Sequence, residues 1–171
     1  QQAKETASFS GPMRTALVDM LDSVGVNTAL GLPTCSELFG ASASLVHYTS
    51  ALRNPVFSSG QNYTGSPAIM RTPYLQSMID EWLADEARAL PNALWIPLGR
   101  EPTAVMRSFV MRGLIAGDRV LDGMPHPSGA NAERIAYFLG RKPRDLLSAK
   151  TNPEAIDQSR TDLLRKVAAC A

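Results

Sequence analysis

Amphipathic helical faces alternate with short apolar runs along this chain, and that alternation restricts the fold more than any other property of the sequence. Met13, Ala16, Leu17, Met20, Leu21 and Val24 recur at three- and four-residue intervals, which predicts a helix from Pro12 to Val24 ended by Gly25. Pro33 to Phe39 reads as one helical turn closed by Gly40. Leu45 to Leu52 is apolar, β-branched and aromatic enough for a strand, and Ala93 to Leu98 and Arg119 to Leu121 read as two more. Between these runs, Pro73 to Leu90 gathers Leu75, Met78, Ile79, Trp82, Leu83 and Leu90 on one helical face. Pro102 to Leu114 does the same with Val105, Met106, Phe109 and Val110, and Pro153 to Ala169 is a last helix capped by Thr151 or Asn152. His47, Trp82 and Trp95 read as core by position. The expected architecture is α/β; an α/β/α sandwich on a short, mostly parallel central sheet. So few strands for that class imply another upstream of Gln1, or one hidden in the turn-rich loop from Arg53 to Pro67.

At 171 residues the chain suits a single domain that buries roughly 70% of its unfolded surface. Its 44% hydrophobic and 19% charged residues are an ordinary globular composition, and no apolar run approaches the ~20 residues of a membrane span. Cys35 and Cys170 lie far apart and read as reduced thiols of a cytoplasmic protein. Two cysteines cannot supply the four thiolates of an iron–sulfur cluster, and no His/Cys/Asp cluster has metal-ligand spacing, so neither metal nor cofactor is expected. The formal charge is +1, unevenly spread. Asp80, Glu81, Asp85 and Glu86 face Arg88 alone, whereas Arg107, Arg112, Arg119, Arg134, Arg141, Lys142, Arg144 and Lys150 crowd the later half. That half suits a phosphate-backbone partner, or else a solvated surface of mixed charge.

The most informative stretch runs from Val120 through Leu-Asp-Gly-Met-Pro to His126-Pro-Ser128-Gly-Ala-Asn131-Ala-Glu-Arg134 and Tyr137. It reads as a strand, a stiff loop and a helix, with Pro125 and Pro127 restricting the backbone on both sides of His126. A rigid His between a strand end and a helix start sits where open α/β sheets bind ligands. The free N–H groups there suit a phosphate. The plainer alternative makes Ser128 or Asn131 a helix cap and His126 a solvated loop residue.

Those residues resemble the signature loop of the uracil-DNA glycosylase superfamily, and the order of elements is similar over nearly the whole chain. The resemblance implies a DNA repair enzyme that flips uracil out of DNA and hydrolyses its N-glycosidic bond, as a monomer and without metal. His126 would be the catalytic residue, its neutral imidazole donating a hydrogen bond to the uracil O2 as negative charge develops there. Phe9, at the junction before the first long helix, would stack on the extruded base. Ser50 falls where the family carries a base-reading Asn, and Asn54 is a second candidate. Ser128, Gly129, Ala130, Asn131 and Arg134 would contact DNA, with small Ala130 in the place of the family's wedge. Nothing in residues 1–8 matches the family's first motif, which holds the water-orienting Asp or Asn. Either it lies upstream of Gln1 with a further strand, or this branch works without it. Two other readings are a non-catalytic binder of damaged or abasic DNA, and a hydrolase of small nucleosides.

Overall fold

The computed structural model describes residues 9–170, which fall into two compact units. Unit 1 takes the described residues up to Tyr48 together with those from Asp122 onward, and unit 2 is Thr49–Leu121.

Unit 1 is helical. Helix α1 (Gly11–Ser23) buries Leu17, Met20 and Leu21, the face that the sequence periodicity marks. Gly25, at φ +82, turns the chain into the single-turn α2 (Val26–Ala29). A 3-10 turn, Cys35–Phe39, follows. Asp22 holds its start, accepting from Thr34 Oγ1 at 2.6 Å and from the Cys35 N–H at 2.7 Å. Burial, reinforced by this carboxylate, pushes the Cys35 thiol well above its ordinary range, so the sulfur is packing material and no nucleophile. Further on come α6 (Ala132–Phe138) and α7 (Pro153–Ala168), the latter capped by Asn152 Oδ1, which accepts from the Ala155 N–H at 3.0 Å. Helices α1 and α7 both pack on α6, and α2 packs on α7.

Unit 2 holds the hairpin β1 (Phe57–Ser58) and β2 (Gln61–Asn62), then α3 (Pro73–Met78), a π turn (Ile79–Leu83), α4 (Ala84–Ala89) and α5 (Arg100–Met111). Its core joins Ile69, Leu75, Ile79, Leu83, Val105 and Phe109. The π turn offsets the 3.6-residue register inside the 73–89 helical run. Trp82 therefore leaves the buried face that its spacing predicts and is 38% exposed, with the Arg53 guanidinium 4.9 Å from its ring. Trp95 is buried as expected, whereas His47 is exposed.

The expected α/β/α sandwich with a mostly parallel sheet is overturned. The sheet formed by the described residues is the two-stranded antiparallel β1–β2 ladder, and it lies inside the stretch read as a loop. Two of the predicted strands meet only in a single parallel bridge: the Trp95 N–H donates to the Arg119 carbonyl and the Leu121 N–H to the Trp95 carbonyl, each at 2.8 Å. The third, Leu45 to Leu52, starts at the end of a 3-10 turn, passes through irregular backbone into a bend at Ala51 and Leu52, and joins no ladder among the described residues. Strand propensity measures how well a side chain fits a half-buried surface, and helices supply that surface here. Ala51, Leu52 and Ala93 pack on the helical core cluster, and Pro97, lacking an N–H, limits extension of the parallel pair. No helix among the described residues is long and apolar enough to cross a membrane.

Candidate functional site

The His126 loop in unit 1 is built from restriction upward. Gly123 takes φ +101, and a Cβ there would come within 2.8 Å of both Cβ and Oγ of Ser159 on α7, so only glycine fits this approach. Met124, Pro125 and Pro127 are buried, leaving His126 and Ser128 as half-exposed side chains on an anchored backbone. The Ser128 N–H donates to His126 Nδ1 at 3.3 Å. A ring nitrogen that accepts a hydrogen bond carries no proton, so the proton of the neutral imidazole sits on Nε2 and can be donated.

Beyond the loop, three expected DNA-contacting side chains form one string. Asn131 Nδ2 donates to Ser128 Oγ at 3.2 Å, and Arg134 donates to Asn131 Oδ1 at 2.9 Å and to the Lys150 carbonyl at 3.1 Å. Neither Ser128 nor Asn131 caps a helix with its side chain, so the plain capping role does not describe them. Gly129 and Ala130 are exposed in the 3-10 turn Gly129–Asn131. A Cβ on Gly129 would meet nothing within 4 Å, and its φ lies outside the left-handed region.

Glu133, on the first turn of α6, is a residue the sequence reading passed over, and it ties that helix to the segment before α7. Its carboxylate accepts from Lys142 Nζ at 2.7 Å, Ser148 Oγ at 2.6 Å, the Ser148 N–H at 3.2 Å and Thr151 Oγ1 at 2.6 Å. The Lys142 ammonium first, then the Ser148 and Thr151 hydroxyls, hold the acid far below the ordinary carboxylate range. An acidic residue in a first helical turn was the available signal, but its partners lie 9 to 18 residues away.

Phe9 is also in unit 1, held at φ +58 with its carbonyl accepting from Arg14 Nε at 2.6 Å. Its ring lies 6.2 Å from that of Tyr48, which lies 5.5 Å from Phe39, and the Arg14 guanidinium stands 4.5 Å from the Phe39 ring. Phe9, Tyr48 and Phe39 thus form one aromatic cluster, with Tyr48 between the other two rings.

The other two base-binding candidates fall in unit 2. Asn54 is exposed. Ser50 lines a cavity of about 470 Å³ together with Leu52, Tyr63, Gly65, Arg100 and Glu101. Glu101 accepts there from the Ile69 N–H at 2.8 Å and from Arg100 Nε at 3.3 Å. The Tyr63 hydroxyl donates to the Pro67 carbonyl at 2.6 Å, which anchors the side chain to its own turn. Burial and the Glu101 charge raise that hydroxyl's pKa, with Arg100 opposing. Among the described residues, no three His, Cys, Asp or Glu side chains gather as a metal-holding group.

No protein-family model matches the chain. No solved structure matches it either. The chain is similar to the uncharacterized protein YoxB of Bacillus subtilis (strain 168), with 37% identity over 141 residues, 81% of this chain and 55% of that protein. It therefore spans about half the length of the curated relative it matches.

Proposed function

We propose that the protein is a DNA glycosylase that removes uracil from DNA, with His126 as its electrostatic catalyst. The observation carrying this reading is the hydrogen bond from the Ser128 N–H to His126 Nδ1, which leaves Nε2–H as a fixed donor. Hydrolysis of an N-glycosidic bond leaves positive charge on the sugar and sends an electron pair to the departing base. A donor already aimed at the base oxygen binds that anion more strongly than the neutral ground state, which is how such a group accelerates the step. The Ser128–Asn131–Arg134 string supplies neutral and cationic donors suited to phosphates beside the lesion. Two free thiols suit a cytoplasmic setting, and the proposed enzyme acts there as a monomer.

The test is release of free uracil from a labelled uracil-containing oligonucleotide, in chelator, on single- and double-stranded substrates. His126→Ala is expected to slow release by ~100-fold or more with little change in DNA binding. Ser128→Ala is expected to weaken substrate binding instead. Absence of uracil release by the wild-type chain overturns catalysis, and tight binding of abasic DNA in that case would support the non-catalytic binder.

A further inference from the structure

The Glu133 carboxylate closes on both ends of one four-residue turn. The Thr151 N–H donates to the Ser148 carbonyl at 3.0 Å, which makes Ser148–Thr151 a turn with Ala149 and Lys150 at its corner. Glu133 accepts from Ser148 Oγ and Thr151 Oγ1, each at 2.6 Å, and from the Ser148 N–H at 3.2 Å. Thr151 is buried and Lys150 is exposed, so the turn is anchored at its end and presents the lysine. The Lys150 carbonyl in turn accepts from Arg134 at 3.1 Å, a contact that places the turn beside the Ser128–Asn131–Arg134 string.

Charge is uneven at this junction. Arg141 pairs with Asp19, Lys142 with Glu133, Arg144 with Glu154, Arg165 with Asp162 and Lys166 with Asp122. Among the described residues, Arg134 and Lys150 reach no carboxylate. Arg160 on α7 reaches none either, but no hydrogen bond joins it to the string. Arg134 bonds to two neutral acceptors, Asn131 Oδ1 and the Lys150 carbonyl, which fix its guanidinium and leave the charge uncompensated. The nearest acid in sequence, Glu133, is already balanced by Lys142 at 2.7 Å, and Asp145 lies five residues before Lys150 in the 3-10 turn Arg144–Leu146. Two uncompensated cations held side by side repel each other and favour an anion.

We propose that the Ser148–Thr151 turn is a second phosphate-contacting element beside the His126 loop, with Lys150 as the contact and Glu133 as the residue that positions it. The proposal rests on DNA as the partner of that loop and does not require catalysis. A lysine that neutralises a backbone phosphate releases a counterion, so its contribution is read in the salt dependence of binding.

Fluorescence anisotropy with a labelled DNA duplex, repeated over a series of salt concentrations, tests it. Lys150→Ala is expected to weaken binding by about fivefold at low salt and to reduce the salt slope by about one, whereas Lys150→Arg keeps both. Arg165→Ala removes an equal charge that Asp162 already balances, and is expected to change neither. Glu133→Gln removes a negative charge, which by general electrostatics strengthens the binding of a polyanion. The proposal expects the opposite, a loss like that of Lys150→Ala, and little further loss when the two changes are combined. An unchanged slope in Lys150→Ala, or an equal loss in Arg165→Ala, overturns the contact; tighter binding by Glu133→Gln overturns the positioning role. Uracil release with binding indifferent to Lys150 would sink the turn alone. Lys150-dependent binding without uracil release would support the turn and sink the glycosylase reading, and no DNA binding by the wild-type chain would sink both.

Discussion

Gly129 and His126 show how much a single position in this loop can carry. His126 has one nitrogen engaged by the Ser128 backbone, so its remaining donor is fixed by a main-chain bond and does not depend on a neighbouring acid. Gly129 is next to that bond, and nothing inside the protein requires a glycine there, since a Cβ meets open space at an ordinary φ. A close backbone approach by a phosphate would require one. Gly129→Ala is therefore expected to leave thermal stability unchanged or slightly raised, while DNA affinity falls by about tenfold through lost backbone contacts. Calorimetry and a binding titration on the same variant separate the two effects. Loss of stability, or unaltered affinity, would remove Gly129 from the proposed contact surface.

At the scale of elements, the approach to His126 depends on the packing of α7. Gly123 and Ser159 are in such contact that a methyl group on Gly123 collides with a Cβ, which cannot rotate away. Gly123→Ala is expected to cost about 1–3 kcal/mol or more, from overpacking added to a backbone conformation that alanine resists. Urea denaturation measures it. Ser159→Ala should not rescue the variant because its Cβ stays in place, whereas Ser159→Gly should rescue it in part. Full rescue by Ser159→Ala would mean that the hydroxyl alone is crowded. The 73–89 helical run makes a related point, since the amphipathic pattern correctly marks a helix and its core residues. The π turn within it moves Trp82 to a surface where Arg53 covers the ring and pairs with Glu86 at 3.4 Å.

For the whole molecule, Glu133 links the stability of folding to pH. Its acid is depressed in the folded chain below the ordinary value of 4.5, so the unfolded chain takes up the proton first on acidification. The stabilisation is fully present above that ordinary value and fades as pH falls through it towards the folded value. Glu133→Gln should therefore unfold at a lower temperature than wild type at neutral pH, with the gap narrowing below about pH 4.5. A gap that stays constant down to pH 3 would show that the carboxylate charge is not what holds residues 142–151 to α6.

The sequence by itself determined where the longer helices form and, the π turn around Trp82 apart, which faces they bury, because helical periodicity and caps are local: Leu17, Met20 and Leu21 on α1, and Val105, Met106 and Phe109 on α5, pack as their spacing requires. It also marked the restricted His126 loop, since Gly and Pro act on their own backbone. Tertiary structure alone decided what became of the apolar runs, because a ladder needs a partner that no run can name for itself. Leu45 to Leu52 joined none among the described residues, Trp95 and Val120 kept one parallel bridge, and the hairpin formed where two positive-φ residues closed a polar turn. Long-range contacts also set the Glu133 hub, the fit of Gly123 against Ser159 and the hydrogen bond from Arg134 to the Lys150 carbonyl. Each depends on atoms far apart in the chain, and only packing brings them within reach.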